Sequence, residues 1–162
     1  MLRCDVCLIS KSAIWAGLYL ISPLFTRRYF TMFILCYTCF MPFRIAIIED
    51  ELPILQLYSL KFDLEGFEVF QATNGSDGLK TIEKHQPDLV LLDLRMPHMS
   101  GEEMLKKLRA TEWGASIRVV ILTNLSRDEA PASLRFLGIS GYIVKANHTP
   151  KQVVDTVKSI LH

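Results

Sequence analysis

Four apolar runs in this sequence lead directly into residues able to do chemistry. "RIAII" is followed by Glu49-Asp50-Glu51, "LVLL" by Asp93, "VVIL" by Thr123 and "GYIV" by Lys145. If these runs are strands of one open parallel sheet, their ends share the edge where ligands of such sheets bind. Several carboxylates, a hydroxyl and an ammonium then converge. Singly, each has an ordinary use: the three acids complement the positive end of the next helix, Asp93 caps a turn, Thr123 bonds backbone and Lys145 sits in solvent. Together they conflict, because clustered carboxylates repel one another and raise their own pKa values. A divalent cation removes that conflict, and hard oxygen ligands on an open site suit Mg²⁺. The joint pattern is a metal site with one unused nucleophile.

The elements that must position these groups can be read from periodicity. Strand candidates are 44–48, 67–71, 89–93, 118–122 and 141–144, with helix candidates at about 52–65, 75–85, 101–110, 128–137 and 150–161 between and after them. Pro53 suits a first helical turn, and Gly66 and Gly138 suit helix ends. Gly75, Ser76 and Gly78 open the second helix, Pro87 excludes its continuation, and Pro131 requires the fourth to begin near Asp128 so that the proline falls in the first turn. Val153, Val154, Val157, Ile160 and Leu161 share one helical face. The first, third and fourth strands are near-continuous apolar runs, the mark of burial on both faces. Five strand–helix units of this length imply an α/β fold with a doubly wound parallel sheet and helices on both sides.

The chain has 162 residues, half of them apolar and 22% charged, a globular composition with room for one ordinary domain. Its net charge of +1 carries no general attraction to nucleic acid or to an anionic membrane. Charge and cysteine are unevenly spread. Residues 1–41 carry a net +3 and all four cysteines, whereas residues 42–162 carry a net −2 and none. The division near Met41 suggests an N-terminal extension (1–41) that is not a domain, followed by one domain (42–162). Two apolar stretches of the extension, separated by Thr26-Arg27-Arg28, each fall short of the roughly 20 residues a membrane helix needs. The pairs Cys4/Cys7 and Cys36/Cys39 have zinc-knuckle spacing, yet an apolar, aromatic context with little turn chemistry. Met41, followed at once by "PFRIAII", is the expected start of the functional protein, with a membrane-attached N-terminus as the other reading. A cysteine-free domain fits a reducing, cytoplasmic compartment.

Taken in order and spacing, "IAIIEDE", "PDLVLLDLRMPHMSG", "VVILTNLS" and "GYIVKANHTP" resemble the receiver domain of two-component response regulators over about 43–161. The resemblance implies the CheY-like, flavodoxin-like strand order 2-1-3-4-5. It implies that Asp93 is the phosphoacceptor for a histidine kinase or phosphotransfer protein, and that Asp50 holds Mg²⁺ directly and Glu49 through water, with Asp93 and the main-chain carbonyl of Arg95 completing the site. By the same resemblance Lys145 and Thr123 contact the phosphoryl group, and Tyr142 turns inward as Thr123 moves. The readout would be a population shift in the surface around the fourth helix, the fifth strand and the fifth helix.

The chain departs from the family pattern at identifiable places. Ala146 follows Lys145 where a proline joined by a cis peptide is usual, so the expectation is a trans link with a reshaped loop or a retained, strained cis one. Asn124 stands where a small residue is common and narrows access for the phosphodonor. Arg95 and Leu125 flank the acceptor where they tune the approach of water. His85, His98, His148 and His162 read as surface residues, and "EEMLKKLR" as a solvated helix face.

The chain ends right after its last helix, which leads to the expectation of a single-domain, non-enzymatic phosphoacceptor with output through a protein partner. A haloacid-dehalogenase-type phosphatase would need a second acid where Arg95 stands, and a flavin-binding protein a phosphate loop where Glu49-Asp50-Glu51 stands. A receiver-like module that binds partners without phosphorylation is the remaining alternative.

Overall fold

The computed structural model describes residues 42–162. The expectations for residues 1–41, namely the extension, the zinc spacing of its cysteines and a membrane attachment, lie outside the described residues.

The sheet has five parallel strands, β1 (Arg44–Ile48), β2 (Glu68–Ala72), β3 (Leu89–Leu92), β4 (Arg118–Thr123) and β5 (Gly141–Val144), in the order β2-β1-β3-β4-β5. Four α-helices join and cover them: α1 (Leu52–Leu64), α2 (Gly75–His85), α3 (Gly101–Arg109) and α4 (Pro150–Leu161). Alternation along the strands divides the core into two layers. Ile45, Ile47, Leu89, Leu91, Val120 and Leu122 pack with α1 and α4, through residues such as Phe62 and Val157. Ala46, Ile48, Val90, Leu92, Val119 and Ile121 pack with α2 and α3, through residues such as Ile82 and Leu105. The apolar runs of β1, β3 and β4 are thus buried on both faces, as their sequences predict.

Local chemistry sets the helix ends. Pro53 lies in the first turn of α1, and Gly66 takes φ +88° just after its end, a conformation that costs glycine least. Asn74, Ser100 and Thr149 accept backbone N–H groups at the starts of α2, α3 and α4, and Thr149 forms a full capping box with Gln152. Among the described residues no helix is long and apolar enough to cross a membrane.

One element differs from the sequence reading. The fourth helix expected at 128–137 is a single 3₁₀ segment, Ala132–Phe136, and Pro131 precedes it in an extended conformation rather than entering a first α-turn from Asp128. The physical reason is burial: Leu134 is the one buried residue of the segment, too little apolar area to drive an amphipathic helix. The segment is held by side chains from elsewhere. Ser133 Oγ donates to Glu102 Oε1 at 2.5 Å. Arg109 donates to the carbonyls of Leu137 and Gly138 at 2.9 Å each, and to those of Gly114 and Ile117 at 2.6 and 3.0 Å. Smaller shifts affect the strands: β2 begins one residue later, β3 ends before Asp93 and β4 includes Thr123.

Candidate functional site

The parallel sheet brings the ends of β1, β3, β4 and β5 to one edge. Glu49 follows β1, and its N–H is given to the Ala72 carbonyl at 3.1 Å. Asp93 follows β3, with its own N–H donated to the Ile48 carbonyl at 3.0 Å, so the last rungs of the ladder fix both acids. Oxygens of Glu49, Asp50 and Asp93 lie within 4.8 Å of one another. Glu49, Asp93 and Thr123 are buried, and Asp50 is half-buried.

Lys145 reaches this cluster from beyond β5. Its Nζ lies 2.5 Å from Glu49 Oε2 and donates to Asp93 Oδ2 at 2.7 Å. The other oxygen of Asp93, Oδ1, accepts the Arg95 N–H at 3.1 Å. Burial pushes the Glu49 carboxyl up to about 7, against the opposing pull of the Lys145 ammonium and with a further push from Asp93. Lys145 is itself raised: burial acts to lower it, but hydrogen bonds and charge from Asp93 and Glu49 outweigh that.

Lys145–Asn147 forms a short 3₁₀ turn closed by the His148 N–H on the Lys145 carbonyl at 3.3 Å. The Lys145–Ala146 peptide is trans, so of the two links expected at Ala146 the trans one is present. His148 is more than a surface residue: its Nδ1 lies 3.0 Å from the Val144 carbonyl.

Thr123 Oγ1 accepts the Leu125 N–H at 3.5 Å. Tyr142 donates through its hydroxyl to the carbonyls of Leu125 and Ser126 at 2.9 and 3.2 Å, and the Arg127 guanidinium lies 5.4 Å from its ring centre. Burial raises the Tyr142 phenol. The phenol therefore fastens the loop after β4 rather than joining the acids. Asn124 and Ala146 are exposed, and Leu125 is half-buried.

Sequence reasoning passed over Gly101. Its N–H donates to the Leu94 carbonyl at 3.1 Å, and a Cβ there would lie 2.0 Å from the Asp93 carbonyl oxygen. Only a glycine lets α3 start this close to the backbone of Asp93. A glycine at the first position of a helix already capped by Ser100 was the available signal.

The acidic cluster suits a small divalent cation. Its donors are hard carboxylate oxygens, and Glu49 Oε1 is buried with no hydrogen-bond partner among the described residues, an orphan that a metal or its water would satisfy.

A model of the response regulator receiver domain matches residues 45–158. The chain belongs to that family. Sporulation initiation phosphotransferase F of Bacillus subtilis is 41% identical over 80 residues, covering 49% of this chain and 63% of the relative. The polar-differentiation response regulator DivK of Brucella anthropi is 30% identical over 121 residues, covering 75% of this chain and 98% of the relative. The phosphate regulon transcriptional regulatory protein PhoB of Pseudomonas aeruginosa is 29% identical, and the chain spans 51% of its length. The chain thus covers less than two thirds of the phosphotransferase F and PhoB relatives. Among solved structures, the chemotaxis response regulator CheY4 of Vibrio cholerae shares the fold at a TM-score of 0.68 and 24% identity, over 74% of this chain and 99% of that one. A response regulator protein of Thermotoga maritima in complex with Mg²⁺-BeF aligns at 0.64 with 29% identity, over 73% and 98% of the two chains. This receiver domain therefore has the CheY-like, flavodoxin-like architecture of two-component signalling proteins.

Proposed function

We propose that this receiver domain is a phosphoacceptor switch in which Asp93 takes a phosphoryl group from the phosphohistidine of a kinase or phosphotransfer protein. The observation that carries this reading is the Lys145 ion pair with Asp93 at 2.7 Å inside a cluster of three carboxylates. A carboxylate oxygen of Asp93 forms the new O–P bond, the P–N bond to the donor histidine breaks, and that imidazole leaves with a proton. Lys145 faces the oxygens on which charge is placed, and the Arg95 N–H holds Oδ1 in position. The Thr123 hydroxyl uses its oxygen to accept from Leu125, which leaves its proton to meet a phosphoryl oxygen.

Glu49, Asp50 and Asp93, with the Arg95 carbonyl, are the residues that would hold Mg²⁺. When bound, the ion supplies charge neutralisation at the phosphoryl oxygens. Output passes to a protein partner through the region of Tyr142 and the 3₁₀ segment. The only reaction in this reading takes place on the domain's own side chain.

The test is direct. The full chain is incubated with Mg²⁺ and acetyl phosphate and its intact mass is measured, with Asp93→Asn in parallel. The expected result is a base-labile gain of roughly 80 daltons, one phosphoryl group, confined to the wild type. Absence of label under conditions that modify a control receiver, or label that persists in Asp93→Asn, would defeat the reading.

A further inference from the structure

β2 lies at one border of the sheet and pairs with β1. The Glu68 N–H donates to the Phe43 carbonyl at 3.0 Å, and the Ala72 carbonyl accepts the Glu49 N–H at 3.1 Å. Successive residues of a strand aim their backbone groups in opposite directions. Glu68, Phe70 and Ala72 therefore serve β1, while Val69 and Gln71 point their N–H and C=O groups outward. Among the described residues no strand pairs with that edge.

A groove of about 310 Å³ runs beside it, lined by Gln56, Ser59, Leu60 and Asp63 of α1 and by Val69 and Gln71. Ser59 is only 5% exposed, and its buried hydroxyl has no hydrogen-bond partner among the described residues. Leu60, on the lip of the groove, is 60% exposed, with Leu57 and Leu64 continuing an apolar stripe along the same helix.

We propose that this edge is a self-association surface: two copies pair antiparallel through β2 about a twofold axis at Phe70, making one continuous sheet. An isologous interface requires a surface that complements itself. With the axis at Phe70, Val69 of each copy stands opposite Gln71 of the other, and every outward N–H and C=O of β2 finds a partner. An axis at Val69 would instead set Gln71 against Phe67, whose N–H already goes to the Phe62 carbonyl. The charge pattern agrees: Glu68, the one charged residue of β2, stands opposite Ala72 rather than another Glu68.

Directly opposed residues share a face of the sheet. The Gln71 carboxamide of one copy therefore enters the groove of the other beside Val69, bringing a polar group to the wall that holds the unpartnered Ser59. On the same face the two α1 helices pass antiparallel, so Leu60 of each copy covers Leu60 of the other near the axis and Asp63 faces Gln56. The interface leaves the edge carrying Asp93 open.

Sedimentation of the full chain at about 0.1 mM, without phosphodonor, tests this. The expected result is a reversible dimer, with amide exchange at Val69 and Gln71 slowing as concentration rises. Val69→Pro deletes one outward N–H while sparing the β1 ladder, and weakens association at least about tenfold. Leu60→Lys, at an exposed position that the fold does not need, sets two ammonium groups near the axis and weakens it as well. A monomer at that concentration overturns the proposal. So does exchange at these amides that ignores concentration, or a dimer unchanged in every variant that folds.

Discussion

The two ends of the site are built on unlike supports. Glu49 and Asp93 stand on β1 and β3, central strands whose residues are buried on both faces. Lys145 stands beyond β5, a border strand, and the chain from Thr123 to β5 runs through a loop and one 3₁₀ segment beside a cavity of about 360 Å³ lined in part by Arg127, Leu134, Arg135 and Tyr142. The acid end is fixed by apolar packing in two layers. The stretch between β4 and β5 is tied by a handful of hydrogen bonds, chiefly from Arg109, Ser133 and Tyr142, while β5 itself is held by its ladder to β4. Packing makes a rigid acid cluster; a segment tied by few bonds can be released by a small change in free energy.

Truncating one leucine at each end probes that contrast most strongly. Leu91→Ala removes a fully buried side chain between the sheet and the α1–α4 layer and is expected to cost about 2–5 kcal/mol. Leu134→Ala, beside the cavity, is expected to cost about 2 kcal/mol or less, because the neighbouring segment can close over the lost volume. Urea midpoints of the two variants measure both losses. Equal losses would show that the 3₁₀ segment is packed as firmly as the central strands.

The same contrast explains what could be read from the sequence. β1, β3 and β4 are legible because continuous apolar runs have few other uses, and Glu49, Asp93, Thr123 and Lys145 are legible because each sits at a strand end. The stretch 128–137 misleads because Ala130, Leu134 and Leu137 have helical spacing, while its actual conformation depends on Arg109 and Glu102, more than twenty residues away. Local periodicity carries no trace of such a clip. Gly101 went unread for a related reason: the need for glycine arises only where α3 meets the backbone of Asp93.

A titration sharpens the comparison from the acid side. Glu49 is raised from 4.5 to about 7, so the folded state holds a proton that the unfolded chain has already released. Metal-free stability therefore falls as pH rises from about 4.5 to 7, by about 2–3 kcal/mol from this group. Glu49→Gln should remove that slope, and Mg²⁺ should stabilise the wild type more at pH 8 than at pH 5, where the proton competes for the same carboxylate. Urea melts with and without chelator measure both effects. An unchanged slope in Glu49→Gln would mean that the acid end is not organised around this buried carboxylate.

The smallest expected effect concerns the join between the two ends. Tyr142→Phe deletes a hydroxyl that holds the Leu125 and Ser126 carbonyls and should cost about 1 kcal/mol. Its consequence should be local: faster amide exchange across 124–128, with Mg²⁺ affinity at the acid cluster unchanged. The phenol touches the loop after β4, whereas Glu49 and Asp93 draw their geometry from the β1–β3 ladder, which this variant leaves intact. If Mg²⁺ affinity drops along with loop protection, the two ends share one conformational equilibrium in the unmodified chain, and their different supports do not insulate them.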